Sequence, residues 1–265
     1  MKKIKQILAS IFVLAFITGC DKDKNEPKET LDKSTISAKW NVSNSSDYDS
    51  FEFNESGNYI VVKNTTTKST AKSTNDQIIL FGTYKIIDNK TIILSDFGTI
   101  IVTKIDENLT SFSIKLTSDP NNEIIINASK QEEIKSSTRT DLLCRTWEMV
   151  TFNGEPVAGT DREGTVLFSK AGTYFVSKAN DGSGGIAQWK WNDDAETQLL
   201  YSWEVVPVFN NDRYVDIPEL SSTKLIIIEY KQTYILQPVS TSKSVMKNSL
   251  KNSSNRQMKS GFFNK

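Results

Sequence analysis

The amino-acid sequence predicts an all-β protein in which two small antiparallel barrels follow an N-terminal export signal. Three observations lead to this prediction. Short apolar, β-branched and aromatic runs recur along the chain, separated by polar turn clusters. A pattern of aromatic residues and glycine occurs twice in the same order. The first twenty residues are basic and then apolar, unlike everything that follows them.

The composition excludes several classes of function. The chain has 265 residues, no histidine and two cysteines, so we expect no zinc site, iron–sulfur cluster, haem ligation or His-assisted triad. Phosphate-loop, dinucleotide-binding and Gly-x-Ser-x-Gly motifs are missing. Lys and Arg total 32, as do Asp and Glu, and this zero balance argues against nucleic acid as a partner. We therefore expect no cofactor, no metal and no enzymatic activity.

The N-terminal segment is typical of a cleaved signal peptide. Residues 1–5 are basic, and residues 7–17 form an apolar run of 11 residues, too short to span a bilayer. The run ends in Ile17-Thr18-Gly19-Cys20, which resembles the lipobox of bacterial lipoproteins. That resemblance implies that residues 1–19 are removed and that Cys20 is acylated, anchoring the protein to a membrane.

The residues after Cys20 predict a flexible tether and an envelope location. Residues 20–33 are highly charged and cannot bury apolar surface. Acidic residues directly after the lipidated cysteine resemble the surface-export signals of Bacteroidota lipoproteins, whereas Asp21 resembles the inner-membrane retention signal of enteric bacteria. The composition favours the first interpretation, an outer-membrane lipoprotein that can be surface-exposed.

The first β-domain is predicted over residues 34–128. Its strands are expected at residues 51–53, 59–62, 78–87, 91–94, 99–105, 112–116 and 123–127.

A polar, charged linker is predicted over residues 129–140, followed by a second β-domain over residues 141–240. A short helix is expected at residues 137–143, where Thr138 and Asp141 have the spacing of a capping box. Residues 241–265 contain six Lys/Arg and no acidic residue, which predicts a basic disordered tail; a weak membrane-surface helix is the alternative.

An internal repeat divides the chain into its two domains. Trp40 precedes Phe53-x-x-x-Gly57-x-Tyr59, and Trp147 precedes Phe168-x-x-x-Gly172-x-Tyr174. The spacing predicts a tight hairpin turn in which glycine supplies a positive φ and the aromatic side chains point inward.

This order of motifs resembles the lipocalin-like domains of Bacteroidota envelope lipoproteins, which open with Leu-x-Gly-x-Trp. The second copy keeps Leu143 and Trp147 but lacks the glycine, and the first keeps only Ile36 and Trp40. Each copy has roughly eight short strands, enough to close an up-and-down barrel or to form a sandwich. The resemblance implies the barrel, which holds one apolar ligand or serves as a rigid docking unit.

Candidate ligand-binding residues are concentrated in the second copy. Trp147, Trp189 and Trp191 are predicted to lie inside or at the mouth of its barrel, with Trp189 and Trp191 on one strand face. They either contact a small apolar ligand, stack on a glycan from an exposed face, or simply fill the core.

Two further interpretations of the sequence concern polar residues. The carboxylate clusters at 193–196 and 161–163 leave a hydrolase conceivable, although acidic residues are ordinary in such turns. Cys144 has no partner once Cys20 is acylated, and we expect it to be a buried, unreactive residue.

Overall fold

Two closed eight-stranded antiparallel β-barrels make up the fold, as the sequence predicts. The computed structural model describes residues 31–64, 77–179, 184–210, 214–239 and 253–254, with the backbone alone for 184 and 253–254. Within these residues the helices are two short segments, each of which precedes one barrel.

In the first barrel each strand pairs with the next, and β8 returns to pair with β1. Its elements are α1 (Lys33–Ile36), β1 (Lys39–Val42), β2 (Tyr48–Phe53), β3 (Asn58–Asn64), β4 (Gln77–Ile86), β5 (Thr91–Leu94), β6 (Gly98–Ile105), β7 (Leu109–Leu116) and β8 (Asp119–Lys130).

The second barrel repeats this plan and closes between β17 and β9. Its elements are α2 (Thr138–Leu143), β9 (Thr146–Phe152), β10 (Glu155–Pro156), β11 (Gly164–Phe168), β12 (Thr173–Lys178), β13 (Gly184–Trp191), β14 (Gln198–Ser202), β15 (Tyr214–Leu220), β16 (Leu225–Glu229) and β17 (Gln232–Pro238). Among the described strands, the short β10 pairs with β9 alone and lies outside the ring.

The repeated aromatic–glycine motif forms the predicted hairpin in both barrels. Phe53 pairs with Tyr59, and Phe168 pairs with Tyr174. Gly57 and Gly172 occupy the turns with φ of 87° and 78°, a region that only glycine adopts without strain. All four aromatic side chains are buried in the barrel interiors.

A tryptophan and a short helix close the same end of each barrel. Trp40 Nε1 donates to the Ile36 carbonyl at 3.0 Å, and Trp147 Nε1 donates to the Leu143 carbonyl at 2.9 Å. In both cases the acceptor lies four residues before the tryptophan, at the end of the helix. This contact gives a physical reason for the apolar-x-x-x-Trp spacing of both copies.

The helix predicted at residues 137–143 is present as α2, but its cap differs from the predicted one. Ser137, not Thr138, is the N-cap, and its side chain accepts a hydrogen bond from the Thr140 amide. Asp141 instead forms an ion pair with Lys170 at 2.7 Å. The capping-box pattern therefore placed the N-cap one residue too late, at Thr138 instead of Ser137.

The barrels lie side by side and touch through outward-facing apolar side chains. Within the described residues no strand of one barrel pairs with a strand of the other. The Phe81 and Phe175 rings meet within this contact, with centroids 4.7 Å apart. Its members are Ile60, Val62, Ile79 and Phe81 from the first barrel, and Leu167, Phe175 and Ile186 from the second.

The segment between the barrels is short and bonded at both ends. Strand β8 continues to Lys130, two residues into the segment predicted as linker. The Gln131 amide then donates to the Lys39 carbonyl of the first barrel, and the Ile134 amide donates to the Lys170 carbonyl of the second. The connection is thus held against both barrels by backbone hydrogen bonds.

Several predicted features lie outside the described residues. These are the signal peptide, the lipidated Cys20 and all but the last residues of the tether. Most of the basic tail also lies outside them, with one described exception. Ser253 and Ser254 form a two-residue strand, β18, that pairs with Ile79 and Ile78 of β4.

Candidate functional site

The three tryptophans predicted as ligand contacts lie together at the α2 end of the second barrel. Trp147 and Trp189 are buried and Trp191 is half-buried. The rings of Trp189 and Trp191 meet edge to face, with centroids 5.4 Å apart, as expected for side chains on one strand face.

Each of these indoles has a protein partner for its N–H group. Trp147 bonds to Leu143, as described above, Trp189 Nε1 donates to the Ser169 carbonyl at 3.0 Å, and Trp191 Nε1 donates to Thr140 Oγ1 at 2.9 Å. A buried indole with a satisfied N–H is typical of core packing. A ligand-contacting role for these residues stays a prediction.

The exposed tryptophan face required by the glycan hypothesis is not found. All five tryptophans of the chain lie in described segments, and three of them are buried while Trp191 and Trp203 are half-buried. The half-buried Trp203 packs on Tyr174 and Tyr201, with ring centroids 5.6 and 6.4 Å away. Most of the tryptophan surface is therefore used in core packing, and glycan binding stays a prediction without an exposed aromatic platform to support it.

The opposite end of the second barrel contains a cavity. It has a volume of about 300 Å³, which is at the small end of the range for ligand pockets. Val166, Val176 and Tyr234 belong to the buried core of the barrel, and Met149 packs against that core. These four side chains form the apolar wall of the cavity. We call this space the mouth cavity.

The entrance of the mouth cavity carries basic side chains. Arg162, from the loop before β11, and Lys178, at the end of β12, line it together with Asp161. The Arg162 guanidinium lies over the Phe152 ring, 4.0 Å from its centroid, which holds the charge at the rim. An amphipathic ligand with an acidic head would meet apolar walls and a cationic edge here.

The barrel interior beside the mouth cavity also contains a buried carboxylate. Glu229 is 5% exposed, and Tyr201 Oη donates to its Oε1 at 2.5 Å. Burial raises the pKa of Tyr234 to about 12, with the nearby Glu229 adding to the shift and Arg162 opposing it. Burial likewise raises the pKa of Tyr174 well above its usual range. These phenols therefore stay protonated hydrogen-bond donors at neutral pH.

The carboxylates that made a hydrolase conceivable have structural partners. Asp193 Oδ1 accepts hydrogen bonds from the Thr197 and Gln198 amides, both at 2.9 Å. Glu196 accepts hydrogen bonds from Ser137, the N-cap of α2, and from Thr140 within α2. Glu163 accepts one from the Gly159 amide at 2.7 Å. Each group stabilises a turn or a helix start, which is the ordinary use of acidic residues at such positions.

The described residues offer no group of three His, Cys, Asp or Glu side chains arranged to hold a metal ion. Cys144 is a free, half-buried thiol, and burial raises its pKa to about 12. A thiol with such a pKa is a poor nucleophile at neutral pH.

The residues of the mouth cavity were missed by sequence reasoning. Met149, Val176 and Tyr234 look like any inward-facing strand residues, and only their position at one barrel end distinguishes them. Arg162 was noted as part of a charged turn but not as part of a site. The predicted tryptophans lie in the same barrel as the mouth cavity, but at its opposite end.

Comparison of the sequence with protein-family models and with curated proteins gives no match in either case. Within the described part of the chain, no helix has both the length and the apolar character needed to cross a membrane.

Proposed function

We propose that this chain is a lipid-anchored binding protein of the cell envelope whose second barrel takes a small apolar ligand with an acidic head group. The observation that supports the ligand is the mouth cavity, with Met149, Val166 and Val176 in its wall and Arg162 and Lys178 at its edge. Eight-stranded barrels have interiors just large enough for one small ligand.

The proposed anchor depends on the sequence alone. The apolar run at residues 7–17 is followed directly by Gly19-Cys20, and acylation of Cys20 would hold the protein on a membrane. The location follows from this anchor and from the acidic residues after Cys20, which favour the outer membrane. No catalytic role is proposed, because the candidate carboxylates stabilise turns.

A direct test of the ligand proposal compares decanoate with decan-1-ol on the chain from residue 21 onward. Val176→Phe places a ring in the mouth cavity. We expect it to lower the affinity for both ligands at least about tenfold, because it removes the space that they need. Arg162→Gln should weaken decanoate by up to about fivefold, since a partly exposed charge pair is worth roughly 0.2–1 kcal/mol. Decan-1-ol should keep its affinity in this variant.

Matched controls separate the cavity from general effects. Val206→Phe makes the same change at a valine that is 77% exposed, and Lys115→Gln removes a cation from the first barrel. Both variants should bind like the wild type. A folded wild type that binds neither ligand would contradict the proposal and favour the alternative of a docking scaffold.

The anchor is tested by Cys20→Ser in the full-length chain. We expect this variant to be released from membranes or to remain unprocessed, because the acyl attachment site is lost. Phase separation in a mild detergent followed by mass spectrometry of the N-terminus measures both outcomes. A Cys20→Ser variant that partitions with membranes and matures like the wild type would refute the anchor.

A further inference from the structure

A second cavity lies between the two barrels, where the repeated hairpins face each other. It measures about 750 Å³ and is lined by residues 52–56 of the first hairpin and residues 168–171 of the second. Ligand pockets form preferentially at such domain junctions. We call this space the inter-barrel cleft; it is separate from the mouth cavity.

Glu52 lines the inter-barrel cleft with one carboxylate oxygen unsatisfied. Its side chain is 5% exposed, and Thr173 Oγ1 of the other barrel donates to Oε2 at 2.6 Å. No group among the described residues donates to Oε1. A buried carboxylate oxygen without a donor costs free energy, so a donor supplied by a molecule bound in the cleft would be stabilising at this position.

A second buried polar atom lines the same cleft from the other barrel. Thr146 is 8% exposed, and its Oγ1 makes no hydrogen bond to any described group. Its neighbour Trp147 points into the second barrel, so Thr146 faces outward into the cleft. Both walls of the cleft therefore offer hydrogen-bonding capacity that the described residues leave unused.

The charges of the cleft distinguish between classes of ligand. Lys130 and Lys170 form ion pairs with Glu133 and Asp141, so their charges are compensated. No described ion pair includes Glu52, although Lys39 stands directly opposite it in the register of β1 and β2. The buried carboxylate therefore lacks a cationic partner within the described residues.

Two cations of the cleft also have no acidic partner in the part of the chain that the structure describes. Lys39 and Arg145 are half-buried, line the cleft and belong to no ion pair among the described side chains. Arg145 lies over the Trp147 ring at 5.6 Å, which leaves its guanidinium free to donate to an anion. The cleft thus contains one carboxylate, Glu52, and two cations, Lys39 and Arg145, that form no ion pair among the described residues.

We propose that the inter-barrel cleft binds a zwitterionic amino acid or short peptide. The free α-ammonium group of the ligand donates to Glu52 Oε1, and its carboxylate is bound by Arg145 and Lys39. Thr146 Oγ1 adds a hydrogen bond to the ligand backbone. A neutral sugar would satisfy the hydrogen bond to Glu52 but would leave all three charges uncompensated.

The test uses trialanine, N-acetyl-trialanine and trialanine amide in calorimetric titrations of the chain from residue 21 onward. Trialanine should bind, and N-acetylation should weaken it by roughly 10- to 100-fold, because it removes the charged donor to Glu52. Amidation of the carboxylate should weaken it by about tenfold. Val176→Phe should leave all three affinities unchanged, which makes this outcome independent of the mouth cavity.

The variant Glu52→Gln distinguishes two roles for Glu52: contact with a ligand, and a purely structural hydrogen bond between the two barrels. In that variant trialanine should lose affinity, and acetylation should cause little further loss, because both changes remove the same interaction. Glu107→Gln, at an exposed position in the first barrel, should behave like the wild type. If Glu52 only joins the barrels, the variant should change the stability of the protein but not the ratio of the affinities for free and acetylated peptide.

If Glu52→Gln does not fold, Arg145→Gln tests the contact with the carboxylate end of the ligand. This variant should reduce the difference in affinity between trialanine and trialanine amide. The proposal is overturned if a folded wild type fails to bind trialanine at about 10 mM, a concentration that nearly saturates a 1 mM site. It is equally overturned if the acetylated peptide binds as well as the free one.

Discussion

The surroundings of Trp189 indicate that this residue belongs to the barrel core and not to a ligand-binding surface. It is 2% exposed, its ring meets Phe168 and Trp191 edge to face, and its N–H bonds to the Ser169 carbonyl. An aromatic side chain held on every side contributes chiefly through apolar burial and packing. We therefore expect its removal to affect folding before it affects any ligand.

Trp189→Ala should lower the free energy of unfolding by about 3–5 kcal/mol, the usual cost of truncating a buried aromatic residue. Val206→Ala, at an exposed position, should change it by less than about 0.5 kcal/mol. Urea denaturation followed by circular dichroism measures both values. Unchanged stability together with lost ligand binding in Trp189→Ala would show that this tryptophan is a ligand contact after all.

The short helix before each barrel is started by a capping side chain and ends against a tryptophan of the barrel. Asp32 caps α1, and its Oδ1 accepts hydrogen bonds from the Thr35 amide at 2.8 Å and the Ser34 hydroxyl at 2.7 Å. These bonds, led by that from the Thr35 amide, lower the pKa of Asp32 to about 2. The helix that they start presents the Ile36 carbonyl to Trp40.

The Asp32 cap makes the stability of α1 dependent on pH. Because the pKa is lowered from 3.8 on folding, the contribution of the cap is present above about pH 4 and is lost as the pH falls toward 2. An NMR titration of the Asp32 carboxyl carbon should give a midpoint of about 2. A midpoint close to 3.8 would mean that the cap does not form, and Asp32→Asn provides the control without a titrating group.

At the scale of the whole molecule, two independent rings are joined by an apolar contact. Each ring closes on itself, and the described residues contain no strand pair between them. Phe81 and Phe175 belong to this contact, and a hydrogen bond from Thr173 to Glu52 also joins the two barrels. Such an architecture predicts halves that fold alone but expose an apolar face.

Residues 31–131 and residues 137–240, expressed separately, should each show β-type circular dichroism and a cooperative unfolding transition. Each half should also self-associate more than the intact chain, because the separation exposes Phe81 or Phe175. Phe81→Ser in the first half should reduce this association in sedimentation measurements. An unfolded half would refute the claim that each ring is an independent folding unit.

Local features of the fold were predictable from sequence, whereas the cavities were not. Gly57 and Gly172 could be assigned to turns because a positive φ and inward-facing aromatic neighbours are local properties. The closed end of each barrel depends on where a helix docks, which no local pattern encodes. Glu52 and Thr146 meet at one cleft only because the two barrels pack side by side, a contact between distant parts of the chain.

We propose that the second barrel binds its ligand at the open mouth and not at the tryptophan-filled end. Methyl NMR of the chain from residue 21 onward, titrated with decanoate, tests this most directly. We predict that the signals of Met149, Val166 and Val176 shift with ligand concentration, while those of Leu143 and Leu199 stay in place. Unshifted signals throughout the titration, or shifts concentrated beside Trp147 and Trp189, would contradict ligand binding at the mouth cavity.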